Sequence, residues 1–174
     1  MGRLISGKGH DRLVRAVARA ARVHPGIRLL VVGDGPMRED LAALVRAADV
    51  SAIVEIVGFV DDVRPYIDAC DVVVVPTEST LGEGFGLTAL EAMAAAKPVV
   101  VTAVGSLPEV VVDGSTGVVV EPSSTSALAD AIVALAGDRA RGSALGVAGR
   151  VRAQQDYGLD RMVDETVGVY EEVV

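Results

Sequence analysis

Short valine-rich runs alternate along the chain with stretches whose apolar residues recur at helical spacing. Runs 28–32, 53–57, 72–75, 98–102 and 117–120 are each four or five residues of mainly Val, Ile and Leu. Such runs predict strands buried on both faces, and their alternation with helices predicts a parallel sheet covered by helices. Leu13, Val17, Ala20 and Ala21 repeat at helical spacing until His24-Pro25-Gly26 stops the pattern. Leu41, Leu44, Val45 and Ala48 resume it after the turn Gly33-Asp34-Gly35-Pro36, with Pro36 expected at a first helical position. His24, at the end of a helix, is read as structural. Asp34 and Asp113, each before a glycine, are read as turn formers. Beyond Glu121-Pro122 the strand signals end, and 123–136, 140–155 and 159–172 read as three successive helices. Ser123 or Ser124 is the expected N-cap of the first, with breaks at Gly137 and Gly158. The predicted class is α/β, a Rossmann-like parallel sheet flanked by helices with a helical C-terminal tail.

With 174 residues, 51% of them hydrophobic, the chain fits one domain, 1–174, with a substantial core. Its positive mean hydropathy is spread over runs broken by Gly, Pro, Asp or Arg, well short of the roughly eighteen residues of a membrane span. The first nine residues lack the charged-then-apolar order of a secretory signal, so a cytoplasmic location is expected. A formal charge of −8 argues against nucleic acid or an anionic membrane as partner, because the summed field repels both. Any cationic site must then be local, and lysine is confined to Lys8 and Lys97, the former in a glycine-flanked loop. Cys70 is the only cysteine and is expected to be an inert core thiol beside Ile67, Ala69 and Val72.

The densest chemistry lies between Val72 and Thr102. A valine strand and Pro76 lead through a polar loop into Gly82-Glu83-Gly84-Phe85-Gly86-Leu87, which opens a predicted helix over 88–96. A glycine-rich turn entering a helix presents free N–H groups at the positive end of the dipole, where a phosphate fits. Gly84 and Gly86 let the backbone approach a ligand closely. Glu83 before the helix and Glu91 in its second turn are acceptors for hydroxyl pairs, such as sugar and ribose diols. Taken alone, two such glutamates are more often surface residues, and Arg3 and Lys8 more often solvated charges. Glu78 and Glu109 are equally readable as ligand-near or as capping and surface residues.

The segment Glu83-Gly84-Phe85-Gly86-Leu87-Thr88-Ala89-Leu90-Glu91-Ala92-Met93-Ala94, followed by Pro98-Val99-Val100, resembles the E-x7-E signature of the retaining GT-B glycosyltransferases, specifically their C-terminal, donor-binding domain. The likeness extends over nearly the whole chain. Gly2-Arg3-Leu4 with Lys8-Gly9 resembles the family's G-R-L…K-G loop, Val32 to Pro36 its second strand and turn, and Val57-Gly58-Phe59-Val60 its base-binding strand end. Gly105 to Glu109, and Asp113-Gly114 through Pro122, resemble its later loops.

That resemblance implies a site for a nucleotide-diphosphate sugar, UDP- or GDP-linked, as donor of a hexose. Arg3 and Lys8 would neutralise the diphosphate, whose charge grows as the glycosidic bond breaks. Glu83 would hold hydroxyls of the transferred sugar, orienting it and stabilising charge, and Glu91 would accept from the ribose. The backbone of Gly84, Phe85, Gly86 and Leu87 would face the β-phosphate and sugar, and that of Gly58, Phe59 and Val60 the base. No cofactor and no metal are expected: there is no Asp-x-Asp pair and no histidine cluster. In the family, transfer passes through an oxocarbenium-like state, with the leaving phosphate commonly proposed to help deprotonate the acceptor.

The sequence also departs from the family pattern. Ala96 and Ser106 stand where glycines are usual; alanine fits if φ stays negative there, and Ser106 adds a Cβ to a loop facing the ligand. In the family a hydrophobic strand immediately precedes the Gly-Arg-Leu loop and an acceptor-binding domain precedes that, whereas Met1 here directly precedes Gly2. Both are expected to be absent from the chain, leaving two unpaired strand edges, a template for pairing with another chain, so that the expected outcomes are a fragment that leans on a partner strand, one that is marginally stable, or one that has lost its true start. The alternative function is an isolated nucleotide-sugar binding module or inactive fragment. A GT-B-like epimerase or phosphorylase would share the architecture. A dinucleotide-binding oxidoreductase is disfavoured by the lack of G-x-G-x-x-G after 28–32.

Overall fold

A computed structural model describes residues 1–78 and 83–173. Among these, five strands and eight helices follow in the order α1 (His10–Val23), β1 (Leu29–Val32), α2 (Arg38–Ala47), β2 (Val54–Gly58), α3 (Arg64–Ala69), β3 (Val73–Val75), α4 (Leu87–Ala94), β4 (Val99–Thr102), α5 (Leu107–Val110), β5 (Val118–Val120), α6 (Thr125–Gly137), α7 (Arg139–Asp156) and α8 (Leu159–Val173). Every expected strand forms to within a residue or so of its predicted ends. The short helices α3 and α5 are additions, since four to six residues carry too little periodicity to predict. No described helix is long and apolar enough to cross a membrane.

All strand pairs are parallel, but they form two separate ladders rather than one sheet. β1 pairs with β2, and β3, β4 and β5 pair in that order. In β4 the pleat alternates valines between two cores. Val100 joins the cluster containing Val14 and Val17 of α1 and Leu128 and Ile132 of α6, while Val99 and Val101 join Met93 of α4 and Leu107 of α5. Burial on both faces is why this strand reads as an unbroken apolar run.

Three local expectations need correction. Pro36 sits in the turn before α2, whose first residue is Arg38. There Asp34 Oδ1 accepts from the Gly35 amide at 2.7 Å, so the turn closes on its own side chain before the helix begins. Ala96 has φ of 55°, in the left-handed region, because α4 ends in a Schellman turn: the Lys97 amide donates to the Ala92 carbonyl and that of Ala96 to Met93. Cys70 is half-buried rather than in the core, with Ala69 exposed beside it, and burial pushes its thiol up. Of the two candidate caps, Ser124 caps α6, accepting from the Ala127 amide at 3.1 Å.

Candidate functional site

Parallel strands deliver all the loops that follow them to one edge of the fold, the usual place for ligands in open α/β sheets. Here that edge gathers Gly33 to Pro36 after β1, Phe59 and Val60 after β2, Pro76 to Glu78 and Glu83 to Gly86 after β3, and Gly105 after β4. The loop of residues 2–9 is stitched to the same edge. Gly2 donates to the Val32 carbonyl at 2.9 Å and Leu4 to that of Asp34 at 2.8 Å, while the Gly7 carbonyl accepts from the Glu78 amide at 2.7 Å. Gly9 has φ of 70°, and a Cβ there would meet the Pro76 carbonyl oxygen at 1.9 Å, so the loop closes on the post-β3 segment only with glycine at this position.

This clamp brings Lys8 to Glu83. The Lys8 ammonium donates to Glu83 Oε2 at 2.7 Å, with side chains 24% and 15% exposed. Thr77 Oγ1 donates to the same oxygen at 2.7 Å, and Thr102 Oγ1 donates to the Thr77 carbonyl at 2.6 Å. Both threonines are buried. Desolvation pushes the Glu83 carboxyl up, but the bonds from Lys8 and Thr77 outweigh it and hold its pKa below the ordinary value. The backbone of Glu83 is fixed too, its carbonyl accepting from the Ser106 amide at 3.1 Å and the Ser106 hydroxyl at 3.2 Å. Ser106 has φ of −76°, so its Cβ sits without strain, and the residue anchors Glu83 rather than disturbing the loop.

Gly86, with φ of 77°, is the N-cap of α4 and has no side-chain cap, so the first-turn amides of Leu87 and Thr88 lack intrahelical acceptors. A Cβ at Gly86 would press on Leu107 at 2.9 Å, whereas one at Gly84 would meet nothing within 4 Å. The left-handed φ therefore favours glycine at 86, while among the described residues nothing crowds position 84. Gly82 lies outside the described residues. Glu91, further along α4, is exposed, and desolvation raises its carboxyl above the ordinary value. Phe85 and Leu87 are also exposed, with Phe85 set edge-on to Tyr157.

Arg3 is exposed and has no ion pair or side-chain hydrogen bond among the described residues. Gly58 is buried at the end of β2 with φ of 96°, its carbonyl accepting from the Gly33 amide; Phe59 stands out beyond it and Val60 is half-buried. Glu78 is taken up by a structural pair with Arg12 of α1 at 2.9 Å. Glu109 has an exposed side chain, and its carbonyl accepts from Arg152 and Tyr157. Sequence reasoning singled out Lys8 and Glu83 but neither Thr77, Thr102 nor the anchoring part of Ser106. The one available signal was a threonine ending the valine run of β4.

A family model described as glycosyl transferases group 1 matches residues 1–138. Among curated proteins, the GDP-mannose-dependent monoacylated alpha-(1-6)-phosphatidylinositol monomannoside mannosyltransferase of Corynebacterium glutamicum is 32% identical over 96% of this chain and 45% of its own length. Among solved structures, the C-terminal domain of a glycosyl transferase group 1 family protein (LpcC) from Francisella tularensis superposes with a TM-score of 0.83 at 29% identity, covering 91% of this chain and 84% of that one. Anabaena Alr3699/HepE in complex with UDP gives 0.86 at 25% identity, covering 97% and 48%. The chain thus spans a little under half the length of the curated relative, and most of a solved C-terminal domain.

Proposed function

This chain belongs to the glycosyl transferases group 1 family, and from that premise we propose that it is the donor-binding domain of a retaining glycosyltransferase that moves a hexose from a UDP- or GDP-linked sugar to an acceptor. The observation that carries the reading is the Lys8–Glu83 pair beside the uncapped N-terminus of α4, at the edge where the strands end. Cation, helix dipole and free first-turn amides favour a diphosphate there. Glu83, held ionised and aimed by Thr77, is suited to accept from sugar hydroxyls and to stabilise positive charge at the anomeric carbon.

Arg3 reaches the diphosphate from the loop before Lys8, and Glu91 accepts from the ribose hydroxyls. The main chain of residues 84–87 faces the β-phosphate and sugar, and that of residues 58–60 meets the base. The exposed faces of Arg3, Glu91, Phe59 and Leu87 leave these groups free for a ligand. A GDP-mannose-dependent relative and a UDP-bound neighbour support guanosine or uridine as the base.

Calorimetric titration of the chain with UDP, GDP and ADP tests the proposal, with Glu91→Ala as control. Binding of UDP or GDP that the substitution weakens, roughly 5- to 150-fold, is expected. A folded chain that binds none of the three overturns the reading.

A further inference from the structure

The end of β2, where the donor-site reading sets the base, has a charged side chain leaning on it. Arg38 opens α2, and a Cβ at Gly58 would meet its Nη1 at 2.8 Å and its Cζ and Nη2 at 3.6 Å, so the guanidinium lies against Gly58. Glycine, with φ of 96°, leaves that room. Just beyond, Phe59 is exposed, and the amides and carbonyls of Phe59 and Val60 enter no hydrogen bond among the described residues.

Helix stability does not account for the arginine. The first turn of α2 is the positive end of its dipole, where an acidic side chain is the stabilising choice, as at Glu39 and Asp40. Arg38 instead reaches back to the turn after β1, where its Nη1 donates to Asp34 Oδ2 at 3.0 Å. The other oxygen of Asp34 accepts from the Gly35 amide at 2.7 Å, so the carboxylate that aims the guanidinium is itself fixed. The two side chains are 42% and 49% exposed, and an exposed pair of this kind adds little to stability.

What the pair leaves over is directional. Arg38 Nε and Nη2 donate to no acceptor among the described residues. These nitrogens form one edge of the planar guanidinium, a fork that matches two adjacent acceptors. Guanine offers that pair in O6 and N7. Uracil, like thymine, offers O4 alone, and adenine sets an amino donor beside its N7.

Resting on the donor-site reading above, we propose that Arg38 is the residue that selects the base: its Nε–Nη2 edge donates to O6 and N7 of guanine, so that the site prefers GDP to UDP and UDP to ADP. Adenine ranks last because its amino group would face a guanidinium donor, leaving both without an acceptor.

Calorimetric titration of the 174-residue chain with GDP, UDP, ADP and inosine diphosphate checks this. GDP is expected to bind roughly 5- to 150-fold more tightly than ADP, the discrimination of one bidentate contact. Inosine diphosphate keeps O6 and N7 and lacks only the amino group of guanine, so it should match GDP. Arg38→Met keeps a side chain of similar reach without donors and should bring the affinities for GDP and ADP together. Their ratio is read within one preparation, so partial unfolding, which lowers both affinities alike, does not imitate the result. Equal affinities in the native chain, UDP bound more tightly than GDP, inosine diphosphate bound no better than ADP, or a preference for GDP that survives Arg38→Met overturns the part given to Arg38; nucleotide binding that Glu91→Ala still weakens then leaves the donor site standing. A folded chain that binds none of these nucleotides overturns both.

Discussion

Lys8 Nζ and Glu83 Oε2 lie 2.7 Å apart although 75 residues separate them in sequence. The contact depends on Gly9 closing against Pro76, and it places a cation and an acceptor beside the start of α4. Glu91 lies further down the same helix and has no such partner among the described residues. The two glutamates should therefore fail differently. Glu91→Ala is expected to weaken UDP or GDP by about 1–3 kcal/mol, roughly 5- to 150-fold, because ribose donors go unpaired. Glu83→Gln should spare the plain nucleotide and weaken the nucleotide sugar. Titrating both variants with both ligands checks this, and equal losses on the two ligands would contradict the division.

Thr77 is the second support of Glu83. Its hydroxyl donates to the carboxylate, and its carbonyl is fixed in turn by Thr102. Thr77→Val keeps the shape and removes a bond to a charged group, worth about 1.5–3 kcal/mol. The Glu83 pKa should rise, since one of the two bonds holding it down is gone. Thr77→Ser restores the hydroxyl and should restore both stability and pKa. Denaturant unfolding and NMR titration of the Glu83 carboxyl read the two effects, and a valine variant with an unchanged Glu83 titration would remove Thr77 from this network.

The strands and longer helices were legible because their apolar periods are local. So were the residues of the E-x7-E segment, which lie within nine positions of one another. The support of Glu83 was not, since Lys8, Thr77, Thr102 and Ser106 come from four different loops or strand ends, and only the folded parallel topology gathers them. Ala96 shows the opposite failure. Its left-handed φ is dictated by two hydrogen bonds that end α4, and an alanine carries no sign of it. The division into two ladders was visible only as the expectation of unpaired edges.

His10 gives the fold a pH dependence of known sign. Burial, reinforced by the Met1 ammonium and Lys8, lowers its pKa from 6.5 to about 4, and its buried Nδ1 has no hydrogen-bond partner among the described residues. The unfolded chain binds this proton more tightly, so stability is full above about 6.5 and falls as pH drops toward 4, by up to about 3 kcal/mol. Glu83 adds its own loss only as pH falls below its ordinary value of 4.5, but between 6.5 and 4.5 the Met1 ammonium, lowered from 8.0, adds a loss and Glu91, raised above 4.5, an opposing gain. The His10 share is therefore the part of the slope, read by chemical unfolding across that interval, that His10→Gln removes. A slope unchanged by the substitution would assign the dependence elsewhere.

Ala96 offers a stabilising change far from the proposed ligand. As the residue after the α4 C-cap it holds φ of 55°, and its carbonyl packs so closely on α7 that a Cβ at Gly146 would meet it at 2.1 Å. The turn cannot relax to negative φ without breaking the Lys97-to-Ala92 bond and this packing. An L-residue pays about 1–2 kcal/mol in this region, partly offset by glycine's greater unfolded freedom. Ala96→Gly should therefore add about 0.5–1 kcal/mol and raise the melting temperature by about 1–4 °C. Asp49 occupies the equivalent position after α2 with φ of 54°, but aspartate tolerates that conformation better. Asp49→Gly should gain less, and denaturant midpoints for the two variants, compared at equal slope, decide whether backbone strain at Ala96 is the cause.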